Sequence, residues 1–386
     1  MIDKPGAIII EGHVQGLSNV RSLGSKGINT WVLDTSSCIA KHSKYCKKFI
    51  QCPPFHSDEF ISFLIDLSNK YELSSCLLLP SNDHIVKAIS KNSAKLNSLY
   101  KLITPSYDII ENIYDKSKLI SIAISSGVAC PETFSISSIK DVSEIVSFPI
   151  LIKGKEGLSF YKKTSKKAFQ INSKDQLIQK LEDLLKLISL DEILLQELIP
   201  FDENHHTISV ALFCENGIVK THWMGEKLRE HPIRFGTATM AKSIEVNELK
   251  VNSMKLAKAL NYSGICEIEY LWNPLKKEYQ LIEINARTWL WVGLANACGV
   301  DFAKIAYDYV NNNKVNYPDN YLKGEYWVNP VTNLFFTSIA FIKGKIKLKS
   351  IMILLFKKKN NALFIWSDMK PGFIYLLSLF KIYRNR

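Results

Sequence analysis

The chain has 386 residues, 47% hydrophobic and 22% charged, a composition ordinary for a soluble globular protein with room for two or three domains. Its eight cysteines, at 38, 46, 52, 76, 130, 214, 266 and 298, form no CxxC pair, which argues against a zinc site or disulfide framework and for a reducing compartment. The net charge of +12 is local: residues 341–386 hold eleven Lys or Arg against one acid, Asp368, making +10 and leaving +2 for the other 340 residues.

MIDKPGAIII at the N-terminus lacks a basic region followed by a long apolar one, and no run reaches the roughly 18 apolar residues of a spanning helix, so neither a secretory signal nor a membrane span is expected. AIIIEG, from Ala7 to Gly12, reads as a buried strand opening into a turn. Val14 to Gly27 carries Leu17, Val20, Leu23 and Gly24 at helical spacing, and INTWVLD is a second strand ending at Asp34. This β-α-β unit predicts a doubly wound parallel sheet. The loop EGHVQG lacks the full GxGxxG pattern, so NAD or FAD is not expected. FISFLIDLSNKY is a further helix, and Cys76 to Pro80 a strand ending at SNDH. Ligands bind at the carboxyl ends of parallel strands, which makes His13, Asp34 and Asp83 candidate substrate contacts; the same residue types serve commonly as caps and turn-formers.

From Tyr107 the pattern predicts one helix closing at Gly127, with Asp115-Lys116 near its start and Pro131 beyond. FPILIK, from Phe148 to Lys153, is an apolar strand ending in a lysine, and a desolvated lysine needs an anion. The following GKEGLSFYKKTSKKAF has only Gly154 and Gly157 and makes a poor phosphate cradle. ILLQELIPFDENHHTISVALFCENG, from Ile193, reads as strand, short turn, strand. His205 and His206 are adjacent, face opposite ways on a strand and lack a third ligand, so no metal is expected there. GEKLREHPIRFGTATMAKS, from Gly225 to Ser243, reads by its charges alone as a solvated loop. NELKVNSMKLAKALNYSG is an amphipathic helix.

Next come two strands and a turn. Cys266, Ile268 and Tyr270 alternate with Glu267 and Glu269; NPLKKE, from Asn273 to Glu278, is turn-prone; and YQLIEINAR puts Leu281, Glu283, Asn285 and Arg287 on one face. Paired as a hairpin, the strands bring Glu269, Glu283 and Asn285 side by side. Clustered carboxylates on a half-buried sheet are costly without a cation, and two carboxylates with an amide oxygen suit Mg²⁺. On pattern alone, an amphipathic hairpin with a solvated acidic face remains open. Beyond residue 311, short apolar runs mix with lysines: KGKIKLKS has the alternation of an edge strand guarded by charge, and FIYLLSLFKIYRNR that of a terminal amphipathic helix. This basic, aromatic stretch fits an anionic membrane surface or a phosphate-rich substrate, and equally a helix packed on the body. No base-stacking module or recognition helix is evident, so nucleic acid is not an expected partner.

Gly264, Glu269-Tyr270 and Ile282-Glu283-Ile284-Asn285-Ala286-Arg287, in that order, resemble the metal-binding end of the ATP-grasp superfamily. The following TWLWVGLANACGVDFAKIAY is similar to its carboligase, or carboxylate–amine ligase, branch. The resemblance covers residues 1 to about 310. It implies an α/β protein: a Rossmann-like pre-ATP-grasp domain (1–106), an α+β ATP-grasp domain (107–310) and a small basic C-terminal extension (311–386). By the same resemblance Lys116 reaches an ATP phosphate, and Lys153 the α- and β-phosphates, with Gly154 where the family has Pro. Residues 154–169 would be a mobile loop over the phosphates. Gln196-Glu197-Leu198 would be the adenine hinge, with Glu197 and Leu198 in contact, and Asp202 or Glu203, with Asp202 preferred, would hold the ribose. Glu269, Glu283 and Asn285 would bind Mg²⁺, for which Mn²⁺ can substitute. Arg229, Pro232, Gly236 and Thr239 keep the order of a segment of the carboligase branch, with Lys227 where an arginine is usual. Arg229 and Arg287 are the candidate catalytic cations.

These expectations converge on an ATP-dependent, ADP-forming ligase that makes a C–N bond between a small carboxylate and an amine through an acyl phosphate. Surface polysaccharide and amino-acid conjugate synthesis are the settings the resemblance offers. The alternatives are a bicarbonate-activating carboxylase or carbamoyl-phosphate-forming enzyme of the same fold, and a non-catalytic ATP sensor or scaffold. A cytoplasmic location is expected, with a homodimer and peripheral contact with the inner face of the membrane through 341–386 both left open.

Overall fold

The computed structural model describes residues 5–134, 136, 138, 142, 147–200, 202, 206–231, 236–342, 344 and 359–378. Strands β1 (Ala7–Ile10), β2 (Thr30–Asp34), β3 (Cys46–Gln51), β4 (Leu77–Pro80) and β5 (Lys101–Leu102) form a parallel sheet in the order β3-β2-β1-β4-β5. Helices α1 (Val14–Gly24), α2 (Glu59–Tyr71), α3 (Asp83–Lys91) and α4 (Ser93–Leu96) complete this unit. Strand alternation divides its residues between two cores. Ile8, Ile10, Trp31, Leu33 and Leu78 pack with Phe60 and Leu64 of α2 and Ile85 and Ile89 of α3. Ala7, Ile9, Val32, Leu77 and Leu79 face the other way, into a core shared with α1 and the rest of the molecule. The order reverses between β1 and β4, which makes the crevice at their carboxyl ends the place where this sheet can meet a ligand.

The single helix expected over 107–127 is two, α5 (Tyr107–Tyr114) and α6 (Lys116–Ser125). Asp115 is extended (φ −81°, ψ 105°), and its carboxylate accepts from the N–H groups of Ser117 and Lys118, capping α6. The chain breaks there because an aspartate at an N-cap satisfies orphan amides that a continuous helix would not leave.

Strands β6 (Thr133–Phe134), β7 (Ile150–Gly154), β8 (Ala168–Ile171) and β9 (Ile193–Glu197) make an antiparallel sheet in the order β6-β9-β7-β8, covered by α7 (Gly157–Thr164) and α8 (Lys174–Leu184). The stretch expected as a loop over 154–169 thus contains a helix. Phe160 seats it: a Cβ on Gly154 would lie 2.2 Å from the Cβ of Phe160. The strands expected on either side of a short turn after Ile193 belong to different sheets.

The third sheet runs β14-β13-β10-β11-β12-β15-β16. Its members are β10 (Ile208–Glu215), β11 (Ile218–His231), β12 (Thr237–Ser243), β13 (Gly264–Asn273), β14 (Glu278–Asn285), β15 (Tyr326–Val328) and β16 (Lys359–Asn361). Among them lie α9 (Asn247–Ala259), α10 (Val292–Ala297), α11 (Phe302–Val310), α12 (Pro330–Ile342) and α13 (Lys370–Leu377). Gly225–Ser243, whose charges suggested a solvated loop, is the β11–β12 pair. Residues on both faces of this pair, Trp223, Met224, Ala238, Met240 and Ala241, are buried, which fixes the charged residues along strands.

Residues beyond 311 extend this sheet through β15 and β16. Arg21 of α1 binds the segment after β16: Nε donates to Asp368 at 2.9 Å, Nη1 to the Ala362 carbonyl at 3.0 Å and Nη2 to the Leu363 carbonyl at 2.8 Å. KGKIKLKS lies outside the described residues except for Gly344. Only the start of FIYLLSLFKIYRNR is described, as the end of α13. Among the described residues no helix is long and apolar enough to cross a membrane.

Candidate active site

β13 begins against the first unit. Gly264 has φ +108°, and a Cβ on it would lie 2.3 Å from the Ile103 carbonyl oxygen, so only glycine permits this approach. The strand then pairs with β14 so that Glu267 faces Asn285 and Glu269 faces Glu283. A register shift between Glu269 and Tyr270 places Leu281 opposite Tyr270, in the core, and not on the carboxylate face as simple alternation predicted. The turn is held by Asn273, whose Oδ1 accepts from the N–H groups of Leu275 and Lys276 at 3.1 and 3.2 Å.

The carboxylate face carries more than the expected triad. Lys227 of β11 donates to both oxygens of Glu269 at 2.7 and 2.8 Å, and the two side chains are only 9% and 12% exposed. Burial alone would lower the Lys227 ammonium, but Glu269 and Glu267 hold it above its ordinary value. Glu267 accepts from the Ser209 hydroxyl at 2.6 Å and from Asn285 Nδ2 at 3.1 Å. Burial, with repulsion from Glu269 added, pushes its carboxyl up to about 8. Asn285 Nδ2 also reaches Glu283 at 3.4 Å. Desolvation opposes ionisation of Glu283, but Lys116, Lys167 and Lys227 hold its carboxyl below the usual range. Sequence reasoning left Glu267 out of the metal set and read Lys227, with Arg229, as a cationic pair for a triphosphate or a substrate carboxylate; the structure commits Lys227 to Glu269 instead. Alternation had already placed Glu267 beside Glu269; the contact with Lys227 is a pairing between distant strands.

Arg287 is committed to the first unit. Nε and Nη2 each donate to a different oxygen of Asp83 at 2.9 Å, Nη2 also donates to Asn285 Oδ1 at 3.1 Å, and Nη1 to the Thr288 carbonyl at 3.0 Å. Burial opposes each charge of this pair, but each partner outweighs it: Asp83 titrates below its ordinary value and Arg287 above. Of five guanidinium hydrogens, one on Nη1 is left over among the described residues. Asp83, expected as a substrate contact, is thus an ion-pair partner, with the Tyr114 hydroxyl at 3.1 Å. Asn19 and Gln15 of α1 bind Thr288 Oγ1, each at 3.0 Å, and fix the chain just after Arg287.

The two expected phosphate lysines meet at the same place. Lys116 opens α6, with its N–H on the Lys155 carbonyl at 2.9 Å, and its Nζ would lie 3.2 Å from a Cβ on Gly157. Lys153, at the end of β7, donates to Gln196 Oε1 at 2.8 Å. Burial and repulsion from Lys116 lower its ammonium to about 8, an effect Glu283 only partly offsets. Lys116, Leu119, Ile120, Gln196, Leu281 and Ile282 line a hollow between α6, β9 and β14. Glu197 turns its side chain to the hairpin, accepting from Lys276 at 2.6 Å and Asn273 at 2.8 Å, while the Leu198 N–H donates to the Pro149 carbonyl at 3.3 Å.

Asp202 is partly buried; Glu203, His205 and Pro232 lie outside the described residues. Arg229 is directed elsewhere than Lys227: its Nη1 reaches Thr337 of α12 at 3.4 Å, and burial lowers the guanidinium. The structure therefore brings together Lys116, Lys153, Glu269, Glu283, Asn285 and Arg287, and adds Lys227, Glu267 and Asp83.

Residues 218–316 match the carbamoyl-phosphate synthase L chain ATP-binding domain. The D-aspartate ligase of Enterococcus faecium (strain Aus0004) is 22% identical over 233 residues, 58% of this chain and 54% of the ligase. The chain thus spans about half the length of the curated relative it matches. Biotin carboxylase from Campylobacter jejuni, solved as a β-γ-ATP complex, superposes with a TM-score of 0.67 at 16% identity, covering 84% of this chain and 74% of the carboxylase. N5-carboxyaminoimidazole synthetase from Staphylococcus aureus gives a TM-score of 0.64 at 16% identity over 88% of this chain and 87% of its own. With a parallel first sheet, a small antiparallel sheet and a larger one carrying the acidic hairpin, these likenesses make the fold that of the ATP-grasp superfamily.

Proposed function

We propose that the protein is an ADP-forming ligase that joins a carboxylate to an amine through an acyl phosphate. The observation that carries this reading is the convergence of Glu269, Glu283 and Asn285, on one face of the β13–β14 hairpin, with the Lys116–Lys153 pair: oxygen donors for a metal beside cations for phosphates. Lys153 would neutralise the α- and β-phosphates and Lys116 the transferring end. Glu197 and Leu198 would meet the adenine edge through backbone carbonyls, their N–H groups being given to Glu132 and Pro149, and Asp202 would meet the ribose.

The residues fit Mg²⁺. Glu269 and Glu283 present hard oxygen donors on this face: Lys227 pairs with Glu269, and Lys116, Lys167 and Lys227 hold Glu283 below the usual carboxylate range, while Arg287 is spent on Asp83. Among the described residues no three or more His, Cys, Asp or Glu side chains are grouped as a metal site; the proposed set is Glu269 and Glu283 with the Asn285 amide, whose Oδ1 here accepts from Arg287 while its Nδ2 faces the carboxylates. A bound Mg²⁺, or Mn²⁺, would supply charge neutralisation for the phosphates.

In the reaction a substrate carboxylate oxygen attacks the γ-phosphorus and the bond to the leaving ADP breaks. An amine nitrogen then attacks the acyl carbon, inorganic phosphate leaves and the nitrogen loses a proton. The remaining Nη1 hydrogen of Arg287 would donate to the acyl phosphate or its tetrahedral adduct; the guanidinium is held by Asp83, which would lower the reorganisation the step requires. All eight cysteines are free thiols, which supports work in the cytoplasm.

A second reading, activation of bicarbonate, is favoured by the match of residues 218–316 to a carbamoyl-phosphate synthase domain. One experiment separates them: release of ADP and phosphate from Mg-ATP across a panel of carboxylates and amines, with bicarbonate as its own arm and Glu283→Gln as control. Release that requires both an acid and an amine, and is lost in E283Q, supports the ligase. Release with bicarbonate alone moves the assignment to the second reading. Release that persists in E283Q removes the metal assignment.

A further inference from the structure

The crevice at the carboxyl ends of β1, β2 and β4 holds a carboxylate to which the ligase reading gives no role. Glu11 follows β1 with φ +75°, a backbone state that is costly for any residue but glycine. Its neighbours hold it there. Its N–H donates to the Leu33 carbonyl at 2.8 Å, and α1 packs so closely on its own carbonyl that a Cβ on Gly16 would lie 2.1 Å from that oxygen. The Glu11 side chain is half-buried and accepts from the side chain of Asn82, whose Oδ1 already accepts from the Ile85 N–H at 3.0 Å. Charge at this end of the sheet does not balance. Asp34 has each oxygen on a backbone amide, of Gly12 at 2.8 Å and Thr35 at 2.7 Å, and Asp83 holds Arg287 through both of its own. Burial pushes the Glu11 carboxyl up to about 7, with repulsion from Asp34 and Asp83 added, against the pull of Asn82 and Arg287.

A second group at this place lacks a partner. Ser81 follows Pro80 of β4 and stands alongside Glu11, because Pro80 pairs with Ile10 and the Ser81 N–H donates to the Ile10 carbonyl at 3.1 Å. It is 3% exposed, and its hydroxyl has no hydrogen-bond partner among the described residues. Alternation turns it to the side of Leu79, where Leu79, Pro80 and Arg287 line one small hollow. Buried hydroxyls are nearly always bonded, so an orphan beside an underpaired carboxylate marks a place for a donor from outside the chain.

We infer that Glu11, with Ser81 beside it, binds a primary ammonium group of the substrate. An ammonium has three hydrogens to give and accepts none, which matches a carboxylate flanked by a free hydroxyl oxygen. A metal ion fits less well, because the oxygens of Asp34 and Asp83 are already taken and no three such side chains are grouped as a metal site among the described residues. Arg287 stands near enough to act on Glu11 and keeps one Nη1 hydrogen. The crevice therefore offers a negative and a positive group together, the complement of an amino acid. The inference rests on the ligase reading, which requires an amino compound, and adds the residue that selects it.

The test reads binding and not turnover, so its failure is distinct from that of the ligase reading, which falls if no arm of the ADP-release assay responds. The full chain, with and without Mg²⁺ and a non-hydrolysable ATP analogue, is titrated calorimetrically with the protein amino acids in both configurations. Each is matched by the hydroxy acid of the same side chain. At least one amino acid should bind about tenfold or more tighter than its hydroxy acid, the size of a charged hydrogen bond. Glu11→Gln should cut that preference to about twofold or less, and Ser81→Ala should weaken amino-acid binding severalfold, both with unchanged affinity for the nucleotide analogue. Glu11 occupies a costly backbone state with no ion-pair partner among the described residues, so E11Q should melt no lower than wild type, whereas a purely structural role requires it to melt lower. The inference is overturned if no amino acid binds, if the hydroxy acids bind equally well, or if E11Q keeps the preference. Loss of binding in E11Q only together with a lowered melting temperature overturns it as well.

Discussion

Lys227→Met removes the cation from a pair that sits at 2.7 Å with both side chains largely buried. At that separation the attraction is roughly 6 kcal/mol for an effective dielectric of 20, and relief of lysine desolvation offsets part of it. What remains is the penalty of leaving Glu269 charged and unpaired beside Glu267 and Glu283, so the variant should lose about 3–5 kcal/mol. Urea unfolding followed by circular dichroism, without divalent cation, reads this as a lower midpoint at unchanged slope. Mg²⁺ supplies the missing charge, so it should stabilise K227M more than wild type and narrow the gap. A loss below about 1 kcal/mol, the size of a surface pair, would refute the buried-pair reasoning. Equal Mg²⁺ gains in both proteins would show that the cation does not reach Glu269.

Three further outcomes are expected. On the proposed reading Lys153 meets phosphate as an ammonium, and burial with repulsion from Lys116 lowers that group to about 8, so ATP affinity should fall by up to about tenfold per unit above that pH; calorimetric titration of wild type against Lys153→Met, which should be weak and without this step, checks this. Asp83→Asn takes one partner from the Asp83–Arg287 pair and should cost about 3 kcal/mol, and a double-mutant cycle with Arg287→Met should show coupling, where simple additivity would deny the pair any structural weight. Gly264→Ala adds a clash with the Ile103 carbonyl to backbone strain, whereas Gly299→Ala (φ +102°) meets nothing within 4 Å; thermal melts should place G264A well below G299A, and equal melting temperatures would refute the close-approach argument.

The sequence alone determined the parts whose logic is local. Ile8 and Ile10 against Ala7 and Ile9 alternate strictly, so β1 was legible as a strand buried on both faces, and the β-α-β start came with it. The Glu269–Glu283 pairing was legible because a turn-prone segment between two alternating runs sets the register. Tertiary structure decided the rest. Leu281 left the expected face because a bulge, which costs one unpaired residue and leaves no periodic signature, shifts the pairing after Glu269. Lys227 reads, with Arg229, as half of a cationic pair for an anionic ligand, and becomes the counter-ion of Glu269 only when β10 separates β11 from β13 in a sheet whose order local pattern does not encode. Asp83 reads as a helix-start acid at a strand end; the 204 residues between it and Arg287 make their bond invisible to any window of sequence. Chemical types are written along the chain, but which of two buried charges meets which is determined by the tertiary arrangement: the packing of the first unit on the large sheet placed Arg287 on Asp83, and the strand order within that sheet placed Lys227 on Glu269.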